Sequence, residues 1–483
     1  MPSVLEKIYR FGSDNPDKIA LLNGKDSKTY GQMISDIVRS AQMLSQKFGI
    51  NKGDRVILAA DKQLEFVSAY FACHLLEAVA LPIAPDTNPT RYDLIKSRVA
   101  PSLVIGFPET DTGLQTVGLD RFIFDDAPDP THSFTFPDPE ALADIIFTTG
   151  TTGQPKGVTL SHKNIAAAAL NINTFIGNDT EDVEMLALPI SHSFGLGRMR
   201  CALSNGQTVI MLGSFANVKR FFRFMSEYGV NGFGMVPASW ALLKKLSGDE
   251  LGRYSDQLHY IEIGSAPMPI SEKKNLISLL PHTRICMHYG LTEASRSAFM
   301  EFNSESDRLD TVGRQSPNML ITIRDDEGNE VPDGEEGEIC VEGDAVTGGY
   351  LGLPHDDYFW GDVFRTGDWG VRDGDGYIRL KSRRKELINV GGKKVSPIEV
   401  EDVLKTIDFI DDCVCVGIPD PEAILGEVVK AFIITGEPER IDKEAIDVMI
   451  GGRLEGYKHP VEYAVIDEIP KTSSGKIQRL LLK

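Results

Sequence analysis

Asp144-Ile145-Ile146-Phe147-Thr148-Thr149-Gly150-Thr151-Thr152-Gly153-Gln154-Pro155-Lys156-Gly157 decides how the rest of this chain is read. An apolar strand runs straight into a loop of threonine, glycine and one lysine. Successive glycines let backbone N–H groups turn toward one point, and the hydroxyls and the ammonium add donors there. That concentration of donors suits the phosphates of a nucleotide. The spacing is not Gly-x-x-x-x-Gly-Lys-Ser/Thr, so the loop is not a Walker loop. By itself such a loop is equally compatible with a glycine-rich surface turn. Four further stretches decide between the two readings.

Outward from this loop, a chain of 483 residues is too long for one ordinary core, so two or more domains are expected. Hydrophobic content of 42% and charged content of 25% are those of a soluble globular protein. The net charge of −20 argues against a nucleic-acid partner or an anionic membrane surface. Met1 to Arg10 lacks the apolar core of a signal sequence. Phe66 to Pro85 is interrupted by His74 and Glu77 and reads as a buried helix followed by a strand, not a membrane span. Cys73, Cys201, Cys286, Cys340, Cys413 and Cys415 are scattered through apolar segments with no Cys-x-x-Cys. Buried thiols and a reduced, cytoplasmic setting are the expectation.

From about Asp54 to Gly290, strand-like runs alternate with amphipathic segments. The runs include Arg55–Ala60, Ala78–Ile83, Val183–Leu188, Thr208–Leu212, Gly232–Val236, Tyr260–Gly264 and Arg284–His288. That alternation predicts α/β layers with largely parallel sheets. From Thr311 to Tyr350, glycine- and acid-rich turns separate short β-branched runs, which predicts hairpins or a small barrel. The basic run Lys381–Lys385 ends that pattern, and a compact α+β segment follows. Its first helix opens with Ser396-Pro397-Ile398-Glu399, read as a capping box with proline at the first helical position. The domains are therefore placed at residues 1–384 and 385–483.

The four further stretches are Met287-His288-Tyr289-Gly290-Leu291-Thr292-Glu293, Arg365-Thr366-Gly367-Asp368, the run Arg383 to Pro397 containing Gly391-Gly392, and Pro470-Lys471-Thr472-Ser473-Ser474-Gly475-Lys476. With the opening loop, and in this order, they resemble the motifs of the adenylate-forming superfamily: acyl-CoA synthetases, nonribosomal-peptide adenylation domains and luciferases. Two positions depart from its pattern, Thr149 and Ser382, where the family has serine and glycine.

The resemblance implies the fold and a set of roles. The fold is α/β: a large N-terminal domain of two α/β layers plus a small β-barrel, with a small mobile α+β C-terminal domain. Thr148, Thr149, Gly150, Thr151, Thr152, Gly153 and Lys156 would hold the phosphates. Ser265, Ala266, Pro267, His288, Tyr289 and Gly290 would line the adenylate site, with Tyr289 beside the adenine. Thr292 would touch the α-phosphate, and Glu293 with Thr148 would serve Mg²⁺. Asp368, with two acceptor oxygens for a vicinal diol, would take the ribose together with Arg383. Lys385 would be the hinge, and Gly391 and Gly392 would line a pantetheine tunnel. Lys476 would bridge the substrate carboxylate and the α-phosphate, a task suited to a compact mobile charge.

Leu188 to Gly195 resembles the motif that walls the acid pocket, with His192 at its aromatic position. Ser193 stands where amino-acid-activating relatives carry aspartate. Trp240, Ser265, Ala266 and His288 fall in the other pocket segments, and His288 replaces a common glycine. Arg296, just beyond, is expected to be exposed.

The implied activity is ATP- and Mg²⁺-dependent conversion of a compact carboxylic acid to acyl-AMP, then transfer to a thiol, CoA first among candidates. Two alternatives stay open: loading of a carrier-protein phosphopantetheine, and nucleotide binding without catalysis.

Overall fold

The computed structural model describes residues 1–107, 114–124, 135–149, 155–471 and 477–482; the side chains of Thr149 and Leu480 are also outside the description. Packing divides the chain into two compact units, Met1–Leu320 with Val341–Phe364, and Ile321–Cys340 with Arg365–Lys483. The first unit is built on two sheets. In the nine-stranded sheet, Val183–Leu186, Thr208–Met211, Gly232–Met235, Tyr260–Ile263 and Arg284–Tyr289 run parallel. Antiparallel strands such as Ala298–Glu301 close its edges. In the six-stranded sheet, Arg55–Ala59, Val79–Ile83, Leu103–Ile105 and Leu142–Thr149 are parallel, and Pro155–Ser161 returns antiparallel beside Leu142–Thr149.

The central parallel strands have two buried faces, which is why their runs read as continuous rather than alternating apolar sequence. The pleat sends neighbours to different cores. Val56 and Leu58 join a core shared with Leu21, Met211 and Tyr260 of the other sheet. The helices Tyr30–Phe48, Leu64–Leu75, His162–Ile176 and Ser193–Ser204 lie in that shared core. Ile57, Val104 and Ile145 face away, against the helix Pro89–Val99. Met235, Ile261 and Ile285 likewise face outward, with the helices Val218–Glu227, Pro237–Ser247 and Ile270–Leu279. The predicted α/β layers are present, and Phe66–Pro85 forms the helix Leu64–Leu75 and the strand Val79–Ile83. Among the described residues no helix is long and apolar enough to cross a membrane.

The turn-rich segment forms the strands Met319–Arg324 and Glu336–Gly343, and beyond it come Val363–Arg372 and Ile378–Arg383; three of the four run through a division between the units along the chain. The second unit also holds an α+β core. Asp412–Pro419 and Glu427–Ile434 pair antiparallel, Glu462–Val465 adds in parallel, and the helices Pro397–Leu404 and Lys443–Ile450 supply Val400, Leu404, Ile446 and Ile450 to the core. Ser396 caps its helix by accepting from the Glu399 N–H at 3.2 Å. The reciprocal half of the expected capping box is absent, because the Glu399 carboxylate pairs with Lys458 at 2.7 Å instead. All six cysteines are buried and unbonded to one another.

Candidate active site

Ligands collect at the carboxyl ends of parallel strands, and in the first unit those ends carry most of the residues singled out above. After Val183–Leu186 the chain turns at Pro189 and starts the helix Ser193–Ser204 with His192 as its N-terminal flank. Gly195 is required there, since a Cβ would lie 2.4 Å from the Pro189 carbonyl oxygen. His192 is exposed. The Ser193 and Thr292 hydroxyls share a hydrogen bond of 3.0 Å, which joins the start of this helix to the Tyr289–Glu293 stretch.

After Tyr260–Ile263 comes Gly264, then Ser265 at φ +71°, with Ala266 and Pro267 following. The neighbouring strand ends at His288 and Tyr289. The His288 imidazole fills the space over Gly264: a Cβ on residue 264 would sit 2.1 Å from the ring. Phe194 meets the same ring edge-on at 4.7 Å. Trp240 is buried on the helix Pro237–Ser247 and donates its indole N–H to Glu272 at 2.7 Å.

Beneath His288 lies a charge cluster with no exposed member. Arg198 donates through Nε to Glu184 at 2.7 Å, through a second nitrogen to the other Glu184 oxygen, and through Nη1 to Glu262 at 3.2 Å. Tyr260 donates to Glu184 at 2.8 Å. Arg296 donates to Glu262 at 3.0 Å and to the carbonyl oxygen of Phe194 at 3.3 Å. Arg296 is thus buried, not exposed as expected. It sits at φ +52°, and Gly197 and Gly290 leave room for it, because a Cβ on either would lie within 2.8 Å of Arg296 atoms.

His288 Nδ1 lies 2.7 Å from Glu262, too far out of line for a well-formed hydrogen bond. Burial opposes the charge on Glu262, but the Arg296 and Arg198 guanidiniums outweigh it and hold the carboxyl well below its usual range. Burial lowers the His288 pKa more than Glu262 raises it, so the imidazole is neutral at physiological pH. The two arginines and two glutamates cancel, and the floor of this region carries no spare charge.

A second buried carboxylate, Asp144, precedes the opening loop on the strand Leu142–Thr149. Tyr70 donates to it at 2.9 Å, His74 Nε2 lies 3.0 Å away, and Arg200 is at 3.2 Å. Arg200, Ser193 and Thr292 also line a cavity of about 20 Å³, room for one water but not for a substrate.

The strands Leu142–Thr149 and Pro155–Ser161, on either side of the glycine-rich stretch, pair antiparallel, with Thr148 opposite Lys156 and Thr149 opposite Pro155 in the ladder. Gly150, Thr151, Thr152 and Gly153 lie outside the described residues, and so does Lys476. Glu293 accepts from the Tyr350 hydroxyl at 2.7 Å through Oε1, and no described residue donates to its Oε2. A single carboxylate with a spare oxygen fits Mg²⁺, which takes one or two carboxylates and completes its shell with phosphates and water. Among the described residues no cluster of three or more metal-ligating side chains exists.

In the second unit Asp368 and Arg383 face each other in the ladder and pair at 2.8 Å. Lys385 lies in the 3₁₀ turn Arg384–Glu386. Gly391 and Gly392, at φ +58° and +85°, make the turn of a hairpin, a conformation that favours glycine at both positions.

The AMP-binding enzyme family matches residues 9–351, and the AMP-binding enzyme C-terminal domain matches residues 399–476. The chain belongs to the AMP-binding enzyme family. It is an AMP-forming acyl-CoA synthetase by class. It is 28% identical over 501 residues to the sulfoacetate–CoA ligase of Cupriavidus necator, covering 97% of this chain and 94% of that one. It is 28% identical over 479 residues to a feruloyl-CoA synthase of Amycolatopsis sp., covering 96% and 95%. The ATP-bound structure of MatB from Rhodopseudomonas palustris superposes with a TM-score of 0.89 at 25% identity, over 99% of this chain and 98% of that one.

The buried charge cluster escaped sequence reasoning. Its signal was available: Glu184 and Glu262 each interrupt a strand that is otherwise apolar, and a carboxylate there must be paired.

Proposed function

We propose that this enzyme joins a compact, uncharged or hydroxylated carboxylic acid to CoA in the cytoplasm. In the first half-reaction one oxygen of the acid attacks the α-phosphorus of ATP, the bond to the β-phosphate breaks, and acyl-AMP and pyrophosphate form. In the second, the CoA sulfur attacks the acyl carbon, the thiol proton passes to solvent, and AMP leaves. No side chain forms a covalent bond; positioning and charge stabilisation supply the rate. Bound at Glu293, Mg²⁺ would neutralise phosphate charge.

Thr292, Tyr289 and the loop ending in Lys156 are assigned to the nucleotide, Asp368 and Arg383 to its ribose, and Lys476 to the attacking carboxylate. His192, Ser193, Trp240, Ser265 and His288 are assigned to the acid, and Gly391 and Gly392 to pantetheine after rotation at Lys385. The named relatives act on acids as different as sulfoacetate and ferulate, so the choice of acid rests on this chain's own pocket. The relatives named as CoA ligases support CoA over a carrier protein. The net charge of −20 supports the absence of a nucleic-acid partner, and six buried, unbonded cysteines support a reducing compartment.

One observation carries the substrate class: the neutral His288 ring occupies the space over Gly264, above a charge-balanced floor. A long acyl chain has no path there. An α-ammonium finds no carboxylate, because Glu262 is already engaged by Arg296 and Arg198 and Ser193 offers only a hydroxyl. Burying an unpaired charge costs several kcal/mol.

A pyrophosphate-release panel of short aliphatic, hydroxy, dicarboxylic, aryl, long-chain and α-amino acids, with and without CoA, tests this. Compact uncharged acids should give the highest kcat/KM, and acyl-CoA should form only with CoA present. His288→Gly should raise kcat/KM for the next larger acids by about 10-fold or more, the scale of one methylene's discrimination. Preference of the wild type for palmitate or an α-amino acid would refute the pocket reading.

A further inference from the structure

The segment Thr347–Leu351 is laced to the strand Pro155–Ser161 on one side and to Glu293 on the other, all within the first unit. Thr159 donates to the Gly349 carbonyl through its N–H at 3.1 Å and its hydroxyl at 2.8 Å, and Leu351 N–H donates to Gly157 at 2.8 Å. Thr347 N–H donates to the Glu293 carbonyl at 2.7 Å. Gly157 permits the approach: a Cβ there would stand 2.9 Å from Ile145 and 3.4 Å from Leu351 side-chain atoms.

Tyr350 is the centre of this stitching. Its hydroxyl donates to Glu293 Oε1 at 2.7 Å, and its ring lies 5.1 Å from the Lys156 ammonium. Tyr358 meets the Tyr350 ring edge-on at 4.5 Å and sits closer still to the ammonium, at 4.3 Å.

We propose that Tyr350 is a positioning residue that sets Glu293 for a Mg²⁺ ion and Lys156 for the phosphates at the same time. The proposal rests on the reading of Glu293 as the magnesium carboxylate. The phenol hydrogen bond fixes the rotation of the carboxylate and leaves Oε2 for the cation. The ring does separate work. Aromatic faces hold an ammonium without neutralising it, and among the described residues no carboxylate pairs with Lys156, so an incoming phosphate meets its full charge. One side chain therefore sets the metal-bearing and the phosphate-binding groups in register.

The test is calorimetric titration of Mg²⁺ into enzyme saturated with α,β-methylene-ATP, followed by nucleotide titration at saturating Mg²⁺. Tyr350→Phe should weaken apparent Mg²⁺ affinity by about 10-fold, the usual effect of losing a partner of a metal ligand. Because it keeps the ring, its nucleotide affinity at saturating Mg²⁺ should match the wild type. Tyr350→Leu should lose a further roughly 2- to 5-fold in nucleotide affinity, the scale of an exposed cation–π contact. Glu293→Gln is the reference: wild-type Mg²⁺ affinity in that variant would remove the reading on which the proposal stands. Weakened Mg²⁺ binding in Glu293→Gln with unchanged binding in Tyr350→Phe would overturn the proposal itself. Equal nucleotide affinity for Tyr350→Phe and Tyr350→Leu would overturn the role of the ring.

Discussion

Lys476→Ala is expected to slow acyl-AMP formation by about two to four powers of ten, the range seen when one preorganised charge-stabilising donor is removed, while sparing thioester formation from supplied acyl-AMP. The expectation rests on the motif Pro470–Lys476, which the family's C-terminal domain match includes. As carboxylate attacks phosphorus, negative charge moves from the acid to the bridging oxygens, and the role proposed for the Lys476 ammonium is to stabilise that shifting charge. In the second half-reaction the adenylate bond already exists and that charge shift is over. The readouts are pyrophosphate release for the first step and acyl-CoA formation from synthetic acyl-AMP for the second. Equal loss in both would count against the assignment. In the same experiment Lys385→Pro should give the mirror image, because proline fixes φ near −65° and blocks a hinge rotation. A wild-type overall rate in that variant would remove the hinge from Lys385.

Arg198→Met should destabilise the fold by about 3–5 kcal/mol, the cost of removing one partner from a buried pair. Glu262 would keep Arg296, but Glu184 would keep only the Tyr260 hydroxyl. Glu184 and Arg198 are at most 1% exposed, so water cannot replace the lost guanidinium. The double variant Glu184→Met, Arg198→Met should recover much of the loss, since the uncompensated charge is then gone. Urea denaturation of the three proteins measures both effects. A single variant within about 1 kcal/mol of wild type, the worth of a merely surface pair, would show that the cluster is not what holds the two strands and the helix together.

The reach of sequence reasoning follows from what sequence encodes locally. The strands Arg55–Ala59, Gly232–Met235 and Tyr260–Ile263 were legible because a buried parallel strand must be a short apolar run, and parallel pairing puts the carboxyl ends of Gly232–Met235 and Tyr260–Ile263 on one side of their sheet. Ser396 was legible as a cap because a cap is a contact between residues three apart. Its missing reciprocal partner was not, since Lys458, far along the chain, competes for Glu399.

The same distinction separates the site residues. Thr292 and His288 could be placed by motif, but Tyr350 lies in a different segment and reaches Glu293 only through tertiary folding. Arg296 was misjudged because a lone arginine after a strand is usually solvated. Here a left-handed backbone and two glycines turn it inward onto Glu262.

In the proposed reaction the acid's own oxygen becomes bonded to the α-phosphorus of ATP. Acid labelled with ¹⁸O in its carboxylate, turned over with ATP, Mg²⁺ and CoA, tests it directly. AMP should carry one ¹⁸O on its phosphate and pyrophosphate should carry none. Label in pyrophosphate or inorganic phosphate, or ADP as the nucleotide product, would contradict it.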